Sequence, residues 1–217
     1  MDKSNSKKII LDLCGGTGSW SKPYAEHGYD VRNITLPDYD VRTYQPPENV
    51  YGILAAPPCT EFSFARTNSK YPRDIIKGLG IVKACLNIIW RCQYELPTPL
   101  AKKTNLKFWA LENPFGLLRR YLGHPVLIFE PWEYGDAYQK KTCLWGFFNK
   151  PKKNPIELTE KQKMLHKTNS QPLAKYMKFD VLRTREIHGE YYGKLSRVER
   201  RAITPQGFAK AFFKANR

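Results

Sequence analysis

The chain has 217 residues, 41% hydrophobic and 13% aromatic, enough for one α/β domain with a modest appendage around a real core and unlike a disordered polymer. Its 36 Lys+Arg against 20 Asp+Glu leave a net charge of +16, which points to a polyanionic partner, nucleic acid first, with a generally basic surface as the alternative. No run reaches the ~18 apolar residues of a membrane helix, the polar start Met1-Asp2-Lys3-Ser4 is no signal peptide, and five cysteines without a C-x-x-C pair support neither disulfides nor a zinc site, so a metal-free cytoplasmic protein is expected.

Lys8-Ile9-Ile10-Leu11-Asp12-Leu13-Cys14 reads as an apolar strand that enters Gly15-Gly16-Thr17-Gly18-Ser19-Trp20, with a helix expected over 21–27. Glycines at such a junction let the backbone pass close under a ligand, with helix N–H groups facing it. Alone, the loop suits a dinucleotide, a phosphate or S-adenosylmethionine, or is only a tight turn. It lacks G-x-G-x-x-G and no G-K-[ST] follows, which lowers the NAD and P-loop readings. Residues 28–36 read as a second strand and 37–42 as a loop, where Asp38 and Asp40 can accept hydrogen bonds from ribose hydroxyls or an exocyclic amine. Aspartates are also ordinary loop residues.

The run Tyr51-Gly52-Ile53-Leu54-Ala55-Ala56, ended by Pro57-Pro58, reads as a buried strand with Cys59 on a stiffened loop at its carboxyl end. Ligands of open α/β sheets bind at that edge, which makes Cys59 a candidate nucleophile; a buried structural cysteine is the alternative. Ile75, Leu79, Val82, Leu86 and Ile89 recur at helical spacing, predicting an amphipathic helix over 74–93 in which Cys85 and Cys92 pack. The next strand, Leu106 to Leu111, delivers Glu112-Asn113-Pro114 to the same edge as Cys59.

Residues 129–148 predict a hairpin or strand pair with a polar turn over 134–142. Over 150–201 there are 14 Lys/Arg against 6 Asp/Glu, a net +8, a basic tyrosine-bearing surface suited to a phosphate backbone. Nucleic-acid contacts are expected from Ser63, Arg66, Lys140, Arg183, Arg185 and Arg197. Residues 204–213 read as a helix whose apolar face is Phe208, Ala211 and Phe212.

A thiol, a carboxyl group and a glycine-rich loop at one sheet edge suit thiolate attack on an electron-poor ring such as cytosine, the carboxyl group assisting at N3. The sequence resembles the DNA (cytosine-5)-methyltransferases, as a compact member. Leu11-Asp12-Leu13-Cys14-Gly15-Gly16-Thr17-Gly18 is similar to the family's cofactor motif and Asp40-Val41-Arg42 to its adenine-contacting motif. Pro57-Pro58-Cys59-Thr60-Glu61-Phe62-Ser63 is similar to the nucleophile motif and Leu111-Glu112-Asn113-Pro114 to the Glu-Asn motif. Tyr134-Gly135 through Gly146 and Pro205 to Ala211 continue the match in the family's order.

The resemblance implies an α/β fold with the Rossmann-like sheet of class I S-adenosylmethionine-dependent methyltransferases, and a duplex DNA substrate whose cytosine is flipped out. It divides the chain into a catalytic core (1–149), a small basic recognition region (150–203) and a C-terminal helix returning to the core (204–217). Cys59 is then the nucleophile, Glu112 the N3 partner, Asn113 a loop-fixing residue and Lys141 the basic residue near cytosine O2. Asp12, Leu13, Cys14, Gly15, Gly16, Thr17, Gly18, Asp38, Asp40 and Pro57 would line the cofactor. Only 57 residues (147–203) lie between Gly146 and Thr204, which implies short or relaxed sequence specificity or a targeting partner, as in a bacterial or virus-infected bacterial cell. The same chemistry on RNA or a cytidine nucleotide, and a non-catalytic nucleic-acid-binding relative, are the other readings.

Overall fold

Six apolar runs form one mixed sheet in a computed structural model that describes residues 5–64, 66, 70–94, 105–157, 159–169, 191 and 193–217. Strands β1 (Ile9–Leu13), β2 (Asp30–Ile34), β3 (Val50–Ala55) and β4 (Phe108–Pro114) run parallel. Strands β5 (Leu127–Phe129) and β6 (Thr142–Phe147) complete the sheet, β6 lying antiparallel to both β4 and β5. The order is β2-β1-β3-β4-β6-β5. Leu13 pairs with Ile34 and Ala55, and Ala55 with Leu111, so the four parallel strands reach the carboxyl edge nearly level.

Between β5 and β6 a short 3-10 helix (Pro131–Tyr134) leads into the expected polar turn, sharing Tyr134 with it. β4 runs on through Glu112, Asn113 and Pro114 because β6 keeps pairing with it, Glu112 opposite Leu144 and Pro114 opposite Thr142. The proline is the strand's last residue, where a missing N–H is tolerated.

Burial alternates along the strands with the pleat and builds two cores, one on each face of the sheet. Leu11, Leu13, Ile53, Ala55, Leu111 and Trp145 pack under α2 (Ile75–Tyr94), whose Val82, Cys85, Ile88 and Ile89 are buried against them. Ile10, Leu54, Phe108, Ala110 and Leu144 face the other way, into an aromatic layer shared with α1 (Lys22–Glu26). Three further helices, α3 (Arg119–Leu122), α4 (Glu160–Asn169) and α5 (Arg197–Ala202), precede α6 (Gln206–Ala215).

α6 closes the aromatic layer. Its apolar face is wider than the sequence pattern suggests, because Ala209 and Phe213 are buried beside Phe208 and Phe212. Phe208 stacks on Phe129 at 3.9 Å and 12°, and Phe213 meets Tyr24 edge-on at 4.9 Å. Asn216 fastens the helix end: its Oδ1 accepts from Asn149 N at 2.8 Å and its Nδ2 donates to Asn149 O at 3.0 Å. Replacing the fully buried Phe208 with alanine is expected to cost about 3–5 kcal/mol, a large fall in melting temperature measurable by calorimetry. Among the described residues, no helix is long and apolar enough to cross a membrane, and no group of three His, Cys, Asp or Glu could hold a metal ion.

Candidate active site

The loop after β3 carries the thiol. Asn113 Nδ2, fully buried on β4, donates to Pro57 O at 2.9 Å and so ties the loop to the neighbouring strand. Cys59 is half-buried, and its carbonyl accepts from Phe62 N and Ser63 N at 2.9 Å each, making one tight turn. That turn is wedged in place by Phe62, which is fully buried. Leu117 N donates to Phe62 O at 2.8 Å, and a Cβ on Gly116 would stand 2.3 Å from that oxygen, so only glycine fits the crossing.

Charged groups brace the loop from outside. Glu61 ion-pairs with Arg66 and accepts from Asp74 N at 2.9 Å, while Arg73 donates to Glu61 O and Ser63 O at 2.9 Å each. Arg66, expected to meet nucleic acid, also donates to the carbonyls of Tyr71 and Pro72 at 3.4 and 3.3 Å. Its guanidinium is spent on holding the loop, and Ser63 contributes its carbonyl to the same brace.

Glu112 projects from the end of β4 with 7% of its surface exposed. The lysine beside it is Lys140, whose Nζ lies 3.7 Å from Glu112 Oε1 and also donates to Ile203 O and Ala202 O at 3.3 and 3.4 Å. Lys141, expected near cytosine O2, is exposed and holds its Nζ 4.3 Å from the Phe115 ring centre, which Arg119 also covers at 3.5 Å. The backbone decides this: Lys141 O accepts from Phe115 N, whereas Lys140 N donates to Glu130 Oε2, which turns the two side chains to different surroundings. The buried Tyr138 hydroxyl also belongs to this corner: burial first, then the charges of Asp136 and Glu112, push it well above the ordinary tyrosine range.

The glycine loop follows β1. Asp12 is fully buried beneath it, with Oδ2 2.5 Å from Ser21 Oγ. Asn33, paired with Asp12 across β1 and β2, donates from Nδ2 to Gly16 O at 2.9 Å. A Cβ on Gly15 would lie 2.4 Å from Asp12 Cγ and 2.5 Å from Asn33 Oδ1, so the backbone passes directly over both polar groups. Cys14 holds a positive φ of 57°, and Gly16 and Gly18 take φ of 53° and 69°. Cys14 packs against the core cluster in which Cys85 of α2 is fully buried. Leu13 is core, its carbonyl accepting from Ala56 N at 2.9 Å, and Thr17 is half-buried in the loop.

Burial pushes the Asp12 carboxyl up from 3.8 to about 6. The folded protein therefore keeps a proton that the unfolded chain has released between those values, and the associated stability, present below the lower value, is lost as pH rises through the upper one. Asp136, which accepts from Gly207 N and Phe208 N at the start of α6, is also raised by burial to about 6 and adds in the same direction. Denaturant unfolding at mildly acidic and at neutral pH is expected to show wild type losing up to ~3 kcal/mol across this window from Asp12, and Asp12→Asn losing correspondingly less.

Both Asp40 oxygens are held by Arg42, which lowers the carboxyl to about 2, and Asp38 is exposed in the loop after β2. The polar side chain at the end of β2 that reaches the glycine loop is Asn33. Residues 202–204 connect the two halves of the site, because Thr204 N donates to Ser19 Oγ at 3.1 Å while Lys140 binds the two carbonyls before it. Arg197 opens α5 behind the Ser196 cap, and only its backbone is described; Arg183 and Arg185 lie outside the described residues.

Among the described residues, four buried carboxyl or amide oxygens have no hydrogen-bond partner: Asp12 Oδ1, Asn33 Oδ1, Glu112 Oε1 and Asn113 Oδ1. All four stand near the carboxyl ends of β1, β2 and β4. An unmade buried hydrogen bond costs ~1–3 kcal/mol, and such a row marks a place where donors from a ligand belong. Asn33, Ser21 and Lys140 in its carboxylate-facing role escape sequence reading; Asn33 follows Arg32 in a strand of mixed polarity, which gives no local signal. No protein-family model and no curated protein matches the chain.

Proposed function

We propose that this protein is a DNA (cytosine-5)-methyltransferase that uses S-adenosylmethionine on the Rossmann-like sheet of the class I methyltransferases. The observation that carries the reading is the Asn113–Pro57 hydrogen bond, which ties the Cys59 loop to the strand holding Glu112, with Lys140 beside that carboxyl group. The residues present fit the cofactor. S-adenosylmethionine offers ammonium and ribose hydroxyl donors, and unpartnered Asp12 and Asn33 oxygens lie beneath the glycine loop to accept them. When bound, it supplies an electrophilic methyl group.

Cys59 adds its sulfur to carbon 6 of the flipped cytosine, and the electron pair of the 5,6 double bond is released toward carbon 5 and N3. Glu112 holds the proton at N3, and Lys140 offsets the charge on the carboxylate. Carbon 5 thereby becomes the nucleophile that would take the methyl group, the bond from that methyl to the sulfonium sulfur breaking to leave a neutral thioether. Loss of the carbon-5 proton then re-forms the double bond and expels the thiolate.

The test is a covalent trap. Duplex DNA carrying 5-fluorocytosine cannot lose fluorine as a proton, so incubation with S-adenosylmethionine is expected to leave a protein–DNA band on a denaturing gel. A trap on RNA and not on DNA would move the substrate to RNA. No trap on duplex, single strand or RNA, with cofactor binding measured and intact, would overturn the enzymatic reading.

A further inference from the structure

α2 leaves the Cys59 edge of the sheet at Ile75 and returns the chain to the amino end of β4, so its later turns lie at the opposite end of the molecule. Arg91 stands about 24 Å along the helix axis from Ile75. Between α2 from Gly80 to Arg91 and the loop after β2 lies an open groove of about 420 Å³. Arg42 and Tyr44 line it from the loop, and Lys83, Asn87, Trp90 and Arg91 from the helix; no lining residue is acidic.

Three features of the groove point to one class of ligand. Trp90 is 64% exposed and sits 4.5 Å, centre to centre, from the Tyr94 ring, itself 59% exposed, so two large aromatic faces are left to solvent beside the groove. Arg91 is held across it by a hydrogen bond to Gln45 Oε1. Lys83 is exposed and forms no ion pair among the described residues. Exposed rings set beside cations match the bases and phosphates of an unpaired strand. A duplex hides its base faces, and its phosphates alone have no use for the rings. The volume falls in the ~300–1,000 Å³ range of small-ligand pockets, room for a nucleotide unit of a passing strand.

We propose that this groove is a second nucleic-acid site, which holds a single-stranded segment by stacking bases on Trp90 and Tyr94 and meeting its phosphates with Lys83 and Arg91. It shares none of Cys59, Glu112, Asn113 or Lys140; Arg42 on its wall holds Asp40 of the loop expected to meet the cofactor, and Trp90, Tyr94, Lys83 and Arg91 lie outside that stretch. A second hold on the same polymer keeps the protein near its target between encounters, which suits a chain with little length for sequence readout.

The test uses a short oligothymidylate carrying 5-iodouracil, which has no cytosine to enter the thiol site. Irradiation and peptide mapping are expected to place the adduct on the peptide containing Trp90 and Tyr94. Trp90→Ala is expected to weaken oligothymidylate binding about tenfold, and Lys83→Ala to reduce the salt dependence by about one phosphate contact. Both side chains are exposed, so melting temperature and 5-fluorocytosine trapping on a short duplex should match wild type. Adducts confined to other peptides, or unchanged affinity in Trp90→Ala and Lys83→Glu, would overturn the site. Binding of thymidine monophosphate without binding of the oligomer would also sink it, by making the groove a free-nucleotide pocket.

Discussion

Cys59→Ser is expected to abolish both methyl transfer and covalent trapping, with turnover falling by about 10⁴-fold or more. The magnitude follows from the chemistry: without a sulfur bond at carbon 6, carbon 5 of cytosine is too poor a nucleophile, and a serine hydroxyl ionises far less readily than a thiol. The loop's shape is set by the Cys59 carbonyl, by Phe62 under Gly116 and by Asn113 on Pro57, so the near-isosteric variant should melt like wild type and bind cofactor normally. Retained turnover on a substrate that wild type methylates would remove Cys59 from the mechanism.

Glu112→Gln is expected to lower kcat by about 10²–10⁴-fold while leaving cofactor affinity unchanged, since a buried amide in this place cannot deliver a proton to N3. The two neighbouring lysines then give a sharp comparison. Lys140 is the one whose Nζ lies 3.7 Å from Glu112, so Lys140→Gln should lower kcat, because the carboxylate left after proton transfer loses its neighbouring cation. Lys141→Gln should leave kcat in place, its charge being directed at the Phe115 ring. Single-turnover rates of each variant decide the matter. A rate that fell with Lys141 and not Lys140 would contradict the geometry.

That comparison also shows where sequence reading stops. The apolar runs, the prolines behind β3 and the helical spacing of α2 made the layered α/β plan legible, because each reflects a local rule of burial or backbone. They also placed Cys59 and Glu112 at one edge. Which of two adjacent lysines meets Glu112 depends on how the chain enters β6, and a shift of one residue there moves the side chain to other surroundings. Arg66 and Asp40 carry charge that reads as available for a ligand. Glu61 and Arg42, five and two residues away, take it up once the loops fold back on themselves. The Trp90 groove joins a helix to a loop that precedes it by an entire strand, and no local pattern announces that meeting.

The hydrogen bond from Tyr24 OH to Asn216 O at 3.2 Å spans 192 residues of sequence, and that from Thr204 N to Ser19 Oγ spans 185. Contacts of such separation are made late, after the intervening chain has paid its closure entropy, and they slow folding. Until α6 docks, Trp20, Tyr24, Phe108 and Phe129 present an uncovered aromatic sheet face. An early collapsed state of this protein therefore carries the surface through which copies aggregate, and refolding yield should fall as protein concentration rises unless α6 closes first.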